Sequence, residues 1–452
     1  MSLIRKFFKF VLPSIVAMWI FSLYTMVDGI FVSHGVGEHA LAAVNLSMPY
    51  VNLIFAIGVL FAAGTSTLIS IALGMGARDL ACRYFNQNLV VVSALCAVFS
   101  IISLLALDPL ARLLGGTEDT LVYVKQYLGT IAPFAIFFVI SYNLEVQVKA
   151  DGAPYVSTIG VCTCGLMNVV LDYVFVLHFH WGVWGAALAT GLAQVASTVI
   201  FVLYFIWKPH RLRFGHFGWE LSIYRRVIPL GLSESMTELS NGLVILAFNL
   251  TIIQVLSADK VTSYTVISYV NTMVLMTMLG TSQGIQPLVS YAYGAKDRKT
   301  CHTVLRYGLI ATAVFSVVLF AVSELFAPTI VGLFLEHSSS LFDYTISVLQ
   351  KFAFSFLLMG FNVVMAGYFN AIDRPRFSFP ISIGRSLVLL ILSLGLLAFV
   401  VGGEALWFST LLSEGLCLVV TGIFTLRYIH SLRTGKLYSQ PNPNSLSSSH
   451  VG

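Results

Sequence analysis

Charge is what this sequence has least of: only 10% of its 452 residues are Asp, Glu, Lys or Arg, against roughly 25% in an ordinary soluble domain. That scarcity excludes a large water-facing surface, and no polar stretch is long enough to form a sizeable soluble domain between the apolar runs. Also missing are a Walker A loop, a nucleotide-binding glycine fingerprint and a nucleophile elbow, which leaves ATP hydrolysis and acyl transfer without machinery and calls for no cofactor. The six cysteines, Cys162 and Cys164 among them, fall mostly in or beside apolar runs, where a disulfide has no loop to staple, so they read as small buried hydrophobes. His178 and His180 stand two apart without a third ligand near them in sequence, so no metal site is expected. The net charge of +5 is spread over short loops and forms no patch for nucleic acid.

What is present is apolarity, 58% of the chain. Runs of the roughly 20 residues that cross a bilayer recur from end to end, at about 8–33, 41–74, 84–106, 119–148, 155–178, 184–207, 226–256, 261–293, 303–324, 342–370, 377–400 and 405–429. Lipid offers the backbone no hydrogen bonds, so spanning runs of this kind are helices. The lipid bilayer is therefore the chain's environment, and the expected fold is an all-α polytopic membrane protein with twelve transmembrane helices. The opening Arg5, Lys6 and Lys9 before an apolar run imitate a signal peptide, yet the run outlasts an h-region without a small-residue cleavage site. It reads as an uncleaved first helix. With the amino terminus in the cytoplasm, 21 of the 25 basic residues fall in cytoplasmic connections, so both termini are expected there.

The longest such connection, KPHRLRFGHFGWELSIYRR, divides the chain into two sets of six spans. A shift of 220 places Gly64, Leu68, Ser70, Ala72 and Gly74 on Gly284, Leu288, Ser290, Ala292 and Gly294, and a shift of 221 relates Ala150 and Pro154 to Ala371 and Pro375. An even number of spans per half makes this a parallel repeat. The expected organisation is a first lobe over residues 1–207 (helices 1–6), an inter-lobe loop at 208–225, a second lobe over 226–430 (helices 7–12) and a disordered cytoplasmic tail at 431–452, rich in Pro, Asn and Ser.

Acids inside apolar helices are costly, on the order of 2.5–3.5 kcal/mol at the helix centre on insertion scales, and usually mark an ion or substrate path. Asp28, Glu145, Asp172, Glu234, Glu238 and Glu414 fall inside the spans. In NVVLD, Asn168 and Asp172 are four apart and share a helix face, where both could hold one proton or small cation. Asp28 of helix 1, Asn168 and Asp172 of helix 5, and Thr190 with Gln194 of helix 6 could converge on one polar pocket, either for ion coupling or as a network clamping the helices. Sodium and a proton would use the same oxygens. Glu234 and Glu238, five and nine residues beyond Pro229, share a face of helix 7. Glu145 reads as a partner of Lys149 or of headgroups, Arg385 as a snorkelling anchor, and Glu414 carries little information. The stretch from Gly280 to Asp297, with Pro287 inside it, reads as a bent helix. Met273, Met276, Met278, Met359 and Met365 could line a pliable cavity or simply pack.

QGIQPLVSYAYGA (Gln283 to Ala295), KADGAP followed by NVVLD, and GVWGAALAT (Gly182 to Thr190) resemble motifs of the multidrug and toxic compound extrusion (MATE) family over essentially the whole chain up to the tail. The resemblance implies a V of two six-helix bundles that exports cationic or amphipathic small molecules in exchange for H+ or Na+, acting as a monomer in the cell membrane. It also implies that Asp28 in YTMVDGIF, Asn168, Asp172 and Thr190 form the first-lobe cation-coupling site, which could also take Na+. Glu238 resembles the helix 7 acid of members that couple in the second lobe. The expected helix 10 acid is missing, since Tyr344 to Phe369 contains no Asp or Glu, and Asn362 is the nearest polar substitute. Glu234, Glu238, Gln283 and Asn362 are therefore second-lobe cavity candidates. A lipid-linked oligosaccharide flippase of the same broad fold, or a membrane-embedded receptor or enzyme, is the alternative.

Overall fold

The computed structural model describes residues 2–36, 38–207, 211–215 and 217–433, with the backbone course alone given for residues 29–30, 32–36, 38–41 and 433. Among them there are helices and turns but no strand. Twelve long helices are numbered here in chain order. The first bundle has α1 (Leu3–Val36), α2 (Glu38–Gly74), α3 (Arg78–Leu105), α4 (Leu121–Asp151), α5 (Pro154–His178) and α6 (Gly182–Trp207). The second has α7 (Tyr224–Val255), α8 (Lys260–Gly294), α9 (Arg298–Leu325), α10 (Phe342–Ala353 and Phe356–Ala371), α11 (Pro375–Val401) and α12 (Gly403–Leu432).

Ten of these are long and apolar enough to cross a bilayer, and the bent pair that makes up α10 adds an eleventh. The remaining helix, α8, has 35 residues, about 50 Å at 1.5 Å per residue, but is rich in hydroxyl and amide side chains. It tolerates them because Thr277, Thr281, Ser282 and Ser290 are buried against protein. α8 runs without a break through Pro287, and α4 tightens to a 3-10 turn at Ala132–Phe134 around Pro133. The 43° bend of α10 falls at Phe354–Ser355, where there is no proline. At the carboxyl end the helix continues to Arg433, past the point where the tail was expected to begin, and residues 434–452 lie outside the described residues.

Backbone geometry repeats with the sequence. The left-handed position at Gly76 (φ 77°) recurs 220 residues later at Lys296 (φ 59°), and that at Gly152 (φ 104°) recurs after 221 at Asp373 (φ 57°). Glycine fills the position in the first copy, and a residue for which it is sterically costly fills it in the second. The turns themselves are therefore duplicated.

The bundles meet along α1, α2, α7 and α8, with small residues at the closest approaches. A Cβ on Gly74 would fall 2.0 Å from the Tyr291 carbonyl oxygen, and one on Gly294 would fall 2.1 Å from that of Ile71. Since 71 and 74 map onto 291 and 294, this is one contact made twice about a two-fold axis. Gly64 against Val227 is likewise mirrored by Gly284 against Val11, and Gly231 against Leu60 by Gly280 against Ile15. The start of α1 accordingly packs into the second bundle, with Phe7, Val11 and Ile15 beside Ile285 and Val289. The start of α7 packs into the first, with Val227 and Leu230 beside Leu68 and Ile69.

Candidate functional site

Asn168 and Asp172 occupy one face of α5, and both are buried, at 1% and 0% exposure. Directly after Asp172 the helix loosens into wider π turns over Tyr173–His178, a distortion that often accompanies a functional position. α1 brings Asp28 against Asp172, side chain to side chain. From α6, Thr190 Oγ1 accepts a hydrogen bond from Asn168 Nδ2 at 3.4 Å and donates to the Ala186 carbonyl at 3.0 Å. All four residues expected from the sequence therefore come together. Both Asp172 oxygens, Asp28 Oδ1 and Asn168 Oδ1 are buried without a donor among the described residues. Four buried acceptors without a donor in one cluster are costly, and a proton or small cation is what would satisfy them.

Between the bundles lies a cavity with about 1160 Å³ of empty space, part of it open to solvent. Tyr24, Cys164 and Gln194 line it, each one helical turn from a member of the acid cluster: Asp28, Asn168 and Thr190. Cluster and cavity are thus adjacent levels of the same three helices. Phe21, Phe55, Phe138 and Tyr142 supply aromatic wall, and Glu145, Glu234 and Glu238 supply carboxylates. Of the five methionines named above, Met276 faces this cavity and Met359 lines a smaller one, while Met278 and Met365 are packed in the core.

The second bundle treats its polar groups differently. Glu234 Oε1 accepts from Gln286 Nε2 at 2.9 Å and from Asn370 Nδ2 at 3.5 Å. Arg385 is a buried group, not a snorkelling anchor: at 7% exposure it sits in a π-widened stretch of α11, Gly384–Val388. Its Nε donates to Glu414 Oε1 at 3.2 Å, and Nη2 lies 3.1 Å from the same oxygen. Asn362, expected in the cavity, is instead sealed at 0% exposure. It donates to Glu414 Oε2 at 2.8 Å and accepts from Thr421 at 2.9 Å, so its amide is fully used in holding Glu414. Gln283 does line the cavity, and its Oε1 accepts from Lys149 Nζ at 3.1 Å.

The Glu145–Lys149 pair expected from the spacing is formed, and Lys149 also reaches across the bundles. It is 2% exposed, 2.8 Å from Glu145, and through Gln283 it ties α4 to α8 across the bundle interface. Spacing four apart was the available sign of the ion pair; nothing in the sequence announced the bond across the interface.

A model of the MatE family matches the chain twice, over residues 13–174 and 235–394. The chain belongs to the MatE family. Each match falls within one bundle, as expected of a duplicated MatE unit. Curated relatives extend over almost the full length: Multidrug export protein MepA of Staphylococcus haemolyticus is 24% identical over 96% of this chain and 94% of its own. MepA of Staphylococcus aureus (strain NCTC 8325 / PS 47) is 24% identical over 91% of each. Among solved structures, the outward-facing conformation of a multidrug resistance MATE family transporter superposes with a TM-score of 0.90 at 22% identity, covering 96% of this chain and 97% of that one. The MatE fold, two six-helix bundles in a multi-pass membrane transporter, is therefore the fold of this protein.

Proposed function

We propose that this MatE protein is a secondary multidrug exporter of cationic or amphipathic small molecules, driven by exchange for H+ or Na+ bound at Asp28, Asn168, Asp172 and Thr190. One observation carries the reading: the unsatisfied acid cluster and the central cavity occupy successive turns of α1, α5 and α6. An ion entering the cluster changes how those helices pack, and the same helices form the cavity wall. Coupling requires only that the ion bind more tightly in one cavity state than in the other. The export proteins named above support the substrate class, as does a wall that mixes aromatic rings with Glu145, Glu234 and Glu238. A flippase for a pyrophosphate-linked lipid would need the opposite charge, and the arginine on this wall is already paired with Glu414. The asymmetry of basic residues supports an orientation with both termini in the cytoplasm.

The test is ethidium efflux from proteoliposomes under an imposed proton or sodium gradient. Wild type should respond to at least one gradient and D172N to neither, with gradient-driven efflux lower by about 10-fold or more, the scale of a coupling free energy of 1–3 kcal/mol. Undiminished efflux in D172N would sink the first-bundle assignment.

A further inference from the structure

We propose that Arg385 is a tethered cation that keeps the Glu414 site of the second bundle permanently filled, so that no exchangeable ion enters there. This rests on the coupling role given above to Asp28 and Asp172. The repeat supplies the first argument. A shift of 221 sets Arg385 on Cys164, and a shift of 220 sets Glu414 on Gln194. Cys164, Gln194 and Arg385 all line the central cavity. At one level of corresponding helices, then, the first bundle presents Cys and Gln, and the second presents a cation and an anion. One level further, Ser393 stands where the 221 shift places Asp172. The second bundle's carboxylate comes from α12 instead of α11.

The donor set supplies the second argument. Glu414 is 2% exposed and receives Arg385 and the Asn362 amide, which is what a buried carboxylate looks like once its counter-ion is in place. A guanidinium does not deprotonate in proteins, so this acid is neutralised at every stage of a transport cycle. Among the described residues, Asp172 and Asp28 Oδ1 have no such partner. Room for an exchangeable ion exists nonetheless. Arg385 lines both the central cavity and the smaller one in the second bundle, about 510 Å³ of empty space, part of it open to solvent, that also touches Glu414, Thr410, Asn241 and Asn271. Asn271 Oδ1 is a buried oxygen without a partner among the described residues. Truncating Arg385 would leave a guanidinium-shaped space beside a buried carboxylate and open to both cavities.

Thermal unfolding of the purified full chain, with guanidinium chloride titrated in the millimolar range against tetramethylammonium chloride at equal ionic strength, tests this. With D172N as background, D172N/R385A should gain a guanidinium-dependent rise in Tm of about 2 °C or more and a smaller response to sodium. D172N alone and D172N/R385A/E414Q should show neither. A folded D172N/R385A without a guanidinium response overturns the proposal. Should that variant fold only when extracted in guanidinium, the proposal is supported. Should it fail even there while the triple variant folds, the proposal is wrong. The efflux assay of D172N judges the first-bundle reading separately, because the guanidinium response does not depend on its outcome.

Discussion

The two bundles are copies in backbone and opposites in electrostatics. In the first, Asp28 and Asp172 face each other with no cation beside them among the described residues; in the second, Glu414 is closed off by Arg385 and Asn362. A buried carboxylate must be neutralised either by a mobile ion or by a fixed one. Only the mobile choice can tie a gradient to a conformational change. The difference teaches that duplication preserved the scaffold while the acids buried in the two halves came to be neutralised differently.

Removing one carboxylate from each bundle should therefore have opposite consequences for stability. E414Q strands Arg385 in the bundle and should cost about 3–5 kcal/mol, read as a large fall in Tm. D172N relieves two facing acceptors and should leave Tm unchanged or raised while efflux is lost. Equal Tm losses in the two variants would break the comparison. Next in size are the glycine contacts on the two-fold axis. G74A and G294A each drive a methyl toward a carbonyl at about 2 Å, and each should lose about 1–3 kcal/mol as overpacking, to a similar extent because the contact is made twice. G422A, with open space around its Cβ position, should lose stability only through altered helix propensity, if at all. Markedly unequal losses at Gly74 and Gly294 would mean that the interface is less symmetric than its geometry.

The smallest effect expected is at the α8–α9 turn. Asp297 caps α9 by accepting from Thr300, its Oδ2 from the hydroxyl and its Oδ1 from the backbone N–H, and those bonds hold its carboxyl below the usual range. A group with a depressed folded pKa stabilises above its unfolded pKa and loses that contribution as pH falls through the folded one. The first copy carries Ala77 as the corresponding cap, with no side-chain bond. Acidification below about pH 4 should therefore loosen the start of α9 before that of α3, as seen by hydrogen exchange. Equal protection of the two starts would contradict it.

Most of the fold was legible because lipid permits so few solutions. Apolar runs had to be helices, and the matching shifts of 220 and 221 had to mean duplication. The first-bundle cluster was legible for a related reason: Asn168 and Asp172 share a face by spacing alone, and an acid as isolated as Asp28 needed a polar neighbour. The second bundle misled, since a lone arginine near a helix start reads as a headgroup anchor and a lone amide as a cavity wall. Their common partner, Glu414, is 29 residues from Arg385 and 52 from Asn362, and no periodicity spans such distances.

By itself, then, the sequence determined the medium, the number of helices, the repeat and one polar face on α5, because each follows from local composition or from periodicity. Tertiary structure alone decided which charges are neutralised from within: Lys149 by Glu145 at the bundle interface and Glu414 by Arg385, while Asp28 and Asp172 have no such cation among the described residues. Whether a buried charge is spent or available depends on the group lying about 3 Å away, and helix packing sets that neighbour.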